Sequence, residues 1–110
     1  MDFQIKIENG HAIVSLRGRL DLTTAPECEQ KFREVIADRL GMVVDMGGVE
    51  YISSAGLKTL FLLARMMKDK SGRICLANAN DNVRTVIDIS GLNRILEIKD
   101  SIDEAIAAIS

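Results

Sequence analysis

The chain opens with two short stretches of alternating apolar and polar residues, separated by a two-residue turn signal. In residues 3–8, Phe3 and two isoleucines alternate with polar side chains, which is the period of a half-buried strand. Asn9-Gly10 follows, and this pair favours a tight hairpin because both positions accept positive φ. Residues 11–16 alternate again. The sequence therefore predicts an antiparallel β-hairpin at the start, which argues against folds that open strand–helix–strand.

Beyond the hairpin, the hydrophobic pattern changes repeatedly between helical and strand spacing. Helices are predicted from Thr24, from Ser54, from Asp81 or Asn82 and from Ser101, and strands at 42–46, 73–78 and 95–98. This alternation implies right-handed crossovers between parallel strands. The predicted fold class is α/β: a hairpin, then alternating strands and helices, with a mostly parallel sheet of about five strands and four helices.

Local signals predict several helix ends. Thr24-Ala25-Pro26-Glu27 and Ser101-Ile102-Asp103-Glu104 have the capping-box pattern, in which the first side chain bonds a backbone N–H three residues later. Helical spacing continues to Leu40 in the first helix, with Gly41 as its expected end. Ser90-Gly91 is expected to end a later helix.

The helix predicted from Ser54 to Lys68 is apolar on more than one face. Its main apolar stripe consists of Leu57, Leu60, Phe61, Ala64 and Met67, and Leu62, Leu63 and Met66 widen it. Two interpretations stay open at this stage. Part of this face is exposed for a partner, or all of it packs against the sheet.

Composition limits the function classes. A chain of 110 residues, 47% of them hydrophobic and 27% charged, is expected to form one domain over residues 1–110. The formal net charge of −2 gives no basic footprint for nucleic acid or an anionic membrane. The longest apolar stretch, near residues 60–67, is too short to span a membrane, and residues 1–4 lack the pattern of a targeting signal. Cys28 and Cys75 lie in apolar patterns typical of buried, reduced thiols, so a cytoplasmic location is expected.

Residue constellations for catalysis are absent from the sequence. His11 is the single histidine, and we interpret it as a surface residue. Gly47-Gly48 lacks the spacing of a nucleotide-binding loop, and no histidine is placed to activate a serine. The sequence therefore predicts a protein that is not an enzyme and that needs no cofactor or metal.

One motif carries chemistry of another kind. Ser53-Ser54-Ala55-Gly56-Leu57 places two hydroxyls where a helix is predicted to begin, beside unpaired backbone N–H groups. The N–H groups and the helix dipole favour a negative group at this position. A serine here can cap the helix, in which case replacing Ser54 by alanine removes the cap, or it can carry a removable phosphate.

Three motifs together resemble the signature of STAS domains, in particular the bacterial anti-sigma factor antagonists. They are Tyr51-Ile52-Ser53-Ser54-Ala55-Gly56-Leu57 after an apolar strand, Gly18-Arg19-Leu20-Asp21, and Ile89-Ser90-Gly91-Leu92. The resemblance covers essentially the whole chain, and the predicted order of elements agrees with that fold.

The resemblance implies a partner-switching regulator. In that family the unphosphorylated antagonist binds an anti-sigma factor serine kinase with a histidine-kinase-like ATPase fold and so releases the sigma factor. Phosphorylation reverses binding, and a metal-dependent serine phosphatase resets the antagonist. The family's phosphorylated serine matches Ser54, with Ser53 as second choice because it replaces the usual preceding Asp. Ala55 replaces a Ser or Thr, and Lys58 a residue that is often Gly. The implied partner interface comprises Asp21, Thr23, Ser53, Ser54, Ala55, Gly56 and Lys58.

Two alternatives remain at this stage. A STAS domain can also serve as a non-switching adaptor or scaffold subunit of a transporter or signalling assembly. A phospho-aspartate receiver domain would use Asp45 as acceptor and Lys99 as the supporting cation, but the opening hairpin argues against that fold.

Overall fold

The computed structural model describes residues 1–36 and 41–110. In chain order its elements are strands β1 (Asp2–Glu8) and β2 (His11–Leu20), helix α1 (Ala25–Ile36), β3 (Gly41–Ile52), α2 (Ser54–Asp69), β4 (Arg73–Ala77), α3 (Asp81–Ser90), β5 (Glu97–Lys99) and α4 (Ile102–Ile109). A single 3-10 turn covers Leu92–Arg94. Over the described ranges, the predicted number and order of strands and helices are confirmed.

The sheet has the order β1-β2-β3-β4-β5, and only the β1–β2 pair is antiparallel. Glu8 pairs with His11 across the turn, where Asn9 and Gly10 have φ of 53° and 81°. These positive angles are what a two-residue hairpin requires. The α/β fold class with its opening hairpin is therefore confirmed.

Helices cover both faces of the sheet. Helices α1, α2 and α3 pack over the larger core on one face, where Phe32, Leu60 and Ile87 are almost fully buried. Helix α4 covers the other face, where Ala105 packs with Ile13 and other strand residues. Ile13 lies on the face of β2 opposite Ala12 and Val14, and it is buried because α4 covers that face.

Strands β2 and β3 are longer than predicted, reaching Leu20 and Ile52 rather than residues 16 and 46. The β2–β3 register shifts between Ser15 and Arg17 and again between Gly18 and Arg19. Irregularities of this kind insert an extra residue in one strand, bend it and change the direction of its side chains. The extension carries both strands towards the residues of the serine motif.

Other predicted ends need correction or confirmation. The Thr24 hydroxyl donates to the Arg19 carbonyl at 2.7 Å and accepts from Asp21 N at 3.0 Å, so it does not form the predicted box with Glu27. Ser101 does cap α4, because its Oγ accepts from Glu104 N at 3.1 Å.

Two further helix ends and one strand bear on the predictions. Gly91, with φ of 83°, ends α3 as expected. Gly41 is the first residue of β3, and Leu40 lies outside the described residues. The strand predicted from residue 95 starts at Glu97, because the 3-10 turn comes first and leaves Ile95 exposed.

The broad apolar face of α2 is used mainly inside the protein. Leu63 is buried, and Phe61 and Met66 pack against the larger core while staying partly exposed. Packing against the sheet is therefore the interpretation that holds for most of this face.

Both cysteines are buried and free. Burial, with a smaller effect of Glu27, raises the pKa of Cys28 to about 12. Burial, with a smaller effect of Glu97, raises the pKa of Cys75 to about 11. The predicted buried thiols are confirmed. Within the described residues, no helix has the length and apolar character needed to cross a membrane.

Candidate functional site

The carboxyl ends of β2 and β3 bring the two predicted site segments together. Leu20 and Ile52 are register partners at the ends of these parallel strands. The backbone N–H of Ser53 then donates to the Leu20 carbonyl at 2.9 Å. The loop that begins at Asp21 therefore lies beside the start of α2.

Ser53, rather than Ser54, caps helix α2. Its backbone is extended, with φ of −96° and ψ of 176°, and its Oγ accepts from Gly56 N at 3.3 Å. This is the usual N-cap arrangement, which satisfies one of the free N–H groups of the first turn. The expectation that removing the Ser54 hydroxyl costs the cap is therefore wrong. The helix begins one residue earlier than a Ser54 cap would require, since Ser54 is already its first residue.

Ser54 is the first residue of α2 and is exposed. Within the described part of the chain, its side chain makes no hydrogen bond to another residue. Lys58, also exposed, lies four residues further along the same helix, and the first turn has no acidic residue. Residues four apart share a helix face, so the Ser54 hydroxyl is accessible and has a cation for a neighbour.

Gly56 determines how closely α2 approaches the sheet. It is buried, and a Cβ at this position would lie 2.5 Å from the Leu20 carbonyl oxygen and 2.8 Å from Leu20 Cγ. Only glycine fits without a shift of the backbone. Gly56, predicted to lie in a partner interface, therefore positions the exposed serine and adds no exposed side chain.

The Asp21 carboxylate organises the loop after β2. Its Oδ1 accepts from Thr23 Oγ1 at 2.7 Å, from Thr23 N at 3.0 Å and from Thr24 N at 3.3 Å. The Thr23 hydroxyl is the largest of the effects that lower the pKa of Asp21, and partial burial opposes them. Asp21 is therefore ionised and faces the same edge of the sheet as Ser54.

Three residues that the sequence did not predict as part of the site, Arg19, Leu22 and Tyr51, complete this surface. The Arg19 guanidinium lies 4.3 Å from the ring centroid of Tyr51, and Arg19 Nε lies 3.5 Å from Asp21 Oδ2. Leu22 is 77% exposed and Tyr51 is 44% exposed, so both offer apolar area at the surface. The sequence signal that could have identified this surface is Leu22, an apolar residue among polar loop residues.

We call this area the serine surface, and it comprises Arg19, Asp21, Leu22, Thr23, Tyr51, Ser54 and Lys58. It combines an accessible hydroxyl, a fixed carboxylate and exposed apolar area on a rigid support. It holds no residue that would activate the hydroxyl as a nucleophile. Chemically it can accept a modification and contact another protein.

The residues of the receiver alternative are arranged differently. The Asp45 carboxylate accepts hydrogen bonds from Ser15 Oγ at 3.1 Å, Gly47 N at 2.9 Å and Asn78 Nδ2 at 3.4 Å. Across residues 1–36 and 41–110, it forms no ion pair with Lys99. No group of three His, Cys, Asp or Glu side chains that could bind a metal is present in these ranges either.

Comparison with known proteins agrees with this geometry. The family model for the STAS domain matches residues 2–105. The protein BtrV of Bordetella bronchiseptica is 32% identical over 101 residues, covering 91% of this chain and 87% of the relative. The anti-sigma-F factor antagonist RsfB of Mycobacterium tuberculosis is 28% identical, covering 92% and 83%.

Solved structures give the same result. The crystal structure of an anti-sigma factor antagonist from Mycobacterium paratuberculosis superposes with a TM-score of 0.90 at 28% identity, covering 98% of this chain and 92% of the other. The chain therefore belongs to the STAS-domain family, whose anti-sigma factor antagonists are regulatory proteins and not enzymes.

Proposed function

We propose that this protein is an anti-sigma factor antagonist controlled by phosphorylation of Ser54. Its unphosphorylated form binds an anti-sigma factor serine kinase of the histidine-kinase-like ATPase fold through the serine surface, and the sigma factor is released. The observation that carries this proposal is the difference between the two serines. Ser53 uses its hydroxyl to cap α2, whereas Ser54 is exposed and its hydroxyl is uncommitted within the described chain.

In the modification step, the kinase transfers the γ-phosphoryl group of ATP to Ser54 Oγ. The P–O bond to ADP breaks, the new O–P bond forms, and the hydroxyl proton passes to a base of the kinase. The phosphoserine carries about −1.5 to −2 charges at neutral pH. The N-terminus of the 16-residue helix α2 and nearby Lys58 both favour such a charge. The fold of the antagonist therefore accommodates the phosphate.

The phosphate acts instead on the docked partner. Leu22 and Tyr51 supply exposed apolar area, and Asp21 supplies a fixed negative charge on the same surface. A desolvated dianion in the centre of such a contact costs several kcal/mol, and each ~1.4 kcal/mol changes affinity tenfold. A loss of about a thousandfold in affinity follows from roughly 4 kcal/mol. A metal-dependent serine phosphatase would remove the phosphate, and this exchange is proposed to take place in the cytoplasm.

The test is phosphorylation of the purified protein by a co-encoded kinase with Mg-ATP, read by intact mass and site mapping. We expect one phosphate on the unmodified chain and on Ser53→Ala, and none on Ser54→Ala. Phosphate on Ser54→Ala, or phosphate mapped to Ser53 in the unmodified chain, would overturn the assignment of the acceptor. If no co-encoded kinase modifies any form, the non-switching adaptor is favoured.

Binding is measured separately with Ser54→Asp, which places a negative charge at the proposed acceptor. The matched control is Asn82→Asp, which adds the same charge at an exposed position in the first turn of α3. We expect weaker kinase binding only for Ser54→Asp. Equal affinities of both variants would show that the serine surface is not the contact.

A further inference from the structure

Strand β1 is a long edge strand that neither a proline nor a bulge interrupts. It has seven residues, no proline, and a continuous register with β2. The opposite edge, β5, has only three residues. Ile5 and Ile7 are each 49% exposed, so the half-buried strand predicted for residues 3–8 is in fact largely open. Edge strands of this kind are ready to pair with another strand.

Hairpin geometry determines which peptide groups face outward. Glu8 and His11 flank the two-residue turn, so the His11 N–H donates to the Glu8 carbonyl. Hydrogen-bonded pairs alternate with non-bonded pairs along an antiparallel ladder. The N–H and C=O groups of Phe3, Ile5 and Ile7 therefore face away from β2, towards the open edge.

A second copy of the strand can pair with these groups in only a few antiparallel registers. Placing Ile5 opposite Ile5 brings Asp2 against Glu8 of the other copy. Placing Ile5 opposite Ile7 brings the two Lys6 side chains together. Like charges directly opposite each other destabilise a strand pair, so both registers are disfavoured.

Three registers remain. Placing Ile7 opposite Ile7 sets Glu8 against Lys6 but overlaps only residues 6–8 of each strand. Placing Phe3 opposite Phe3 gives a shorter overlap and sets Asp2 against the neutral Gln4. Placing Phe3 opposite Ile5 sets Asp2 against Lys6, and two-fold symmetry produces each pair twice. In this register Phe3 and Ile5 also oppose each other, on the face of the strand opposite to that of Asp2 and Lys6. The sequence of β1 is therefore complementary to itself in one long register.

We propose that two copies of this chain associate edge to edge through β1, antiparallel, with Phe3 opposite Ile5 and Asp2 opposite Lys6. The two sheets then form one continuous sheet across a two-fold axis. The contact uses the side of the sheet at β1 and does not depend on phosphorylation of Ser54, so its test is independent of the proposed function.

The first test measures mass against concentration by analytical ultracentrifugation. We expect the unmodified chain to rise from 12.1 kDa towards twice that value. Asp2→Lys and Lys6→Asp each create two like-charge pairs, and each is expected to weaken dimerisation about tenfold or more. An equimolar mixture of the two variants restores opposite charges and should form the mixed dimer. Folding of each variant is checked by thermal melting.

Matched controls change the same charges elsewhere on the exposed surface. Lys31→Asp in α1 and Asp69→Lys at the end of α2 should dimerise like the unmodified chain. The proposal would be overturned if the unmodified chain stayed monomeric at every concentration, or if neither Asp2→Lys nor Lys6→Asp weakened the dimer. It would also be overturned if the equimolar mixture of the two variants stayed monomeric.

Amide exchange on the unmodified chain tests the contact without any substitution. Exchange of the Phe3, Ile5 and Ile7 amides should slow as the concentration rises. Exchange of the Gln4 and Lys6 amides, which pair with β2 in each copy, should not change. Outward amides that exchange at the same rate at all concentrations would exclude this edge as the contact.

Discussion

The difference between Ser53 and Ser54 leads to a paired stability prediction. Ser53→Ala removes the 3.3 Å hydrogen bond from Gly56 N to the cap oxygen. Losing an N-cap hydroxyl costs about 1 kcal/mol, within a range of roughly 0.5–2. For a domain of this size, 1 kcal/mol lowers Tm by about 4 °C. Ser54→Ala changes an exposed side chain without such a bond, so its effect should stay within about 0.5 kcal/mol.

Both variants are measured by urea unfolding at neutral pH, with the Tm from calorimetry as a second value. The slope against urea should be the same for both, since neither change alters the surface exposed on unfolding. The two serines are adjacent in sequence and the substitution is identical, so each variant serves as the control for the other. A larger loss for Ser54→Ala than for Ser53→Ala would refute the assignment of the cap and of the free hydroxyl.

Three further predictions concern the support of the site and the core. Gly56→Ala should destabilise the fold, because overpacking costs about 1–3 kcal/mol and alanine's helix preference returns only about 1; urea unfolding measures this. Thr23→Val should raise the pKa of Asp21 towards 3.8, read by NMR titration of the carboxyl carbon. The lowered pKa of Asp21 stabilises the fold above pH 3.8, and this contribution is lost as the pH falls below it. Cys28 and Cys75, with pKa values of about 12 and 11, should react with thiol reagents at pH 8 only after unfolding in urea.

The order of elements could be predicted because each one carries its own local period. Alternation at residues 3–8 and the Asn9-Gly10 turn define the hairpin, and Gly91 ends α3 where a left-handed residue is needed. Alternation could not show which strand residues are buried by a helix on the second face of the sheet. Ile13 is buried by α4, which is distant in sequence, and Ile5 is exposed because β1 is an edge strand of the sheet.

The site was predicted in part for a related reason. The serine motif was visible, but a helix start cannot be placed to one residue from sequence, so the cap could not be assigned to Ser53. Leu22 and Tyr51 were missed because strands β2 and β3 continue through bulges, beyond the apolar runs that predicted them. Their exposure depends on where those strands end.

The two adjacent serines have different roles: Ser53 caps the helix, and Ser54 is the proposed phosphorylation site. A phosphoryl group on Ser53 Oγ would be attached to the oxygen that accepts from Gly56 N, in a turn packed so closely that a Cβ at Gly56 would lie 2.5 Å from the Leu20 carbonyl oxygen. A phosphoryl group on Ser54 leaves that bond and that contact intact. We therefore expect the phosphorylated protein to unfold at nearly the same Tm while its affinity for the kinase falls by orders of magnitude. A drop in Tm comparable with that of Ser53→Ala would mean that the modification disturbs the helix, and binding would then be lost through the fold and not through the surface.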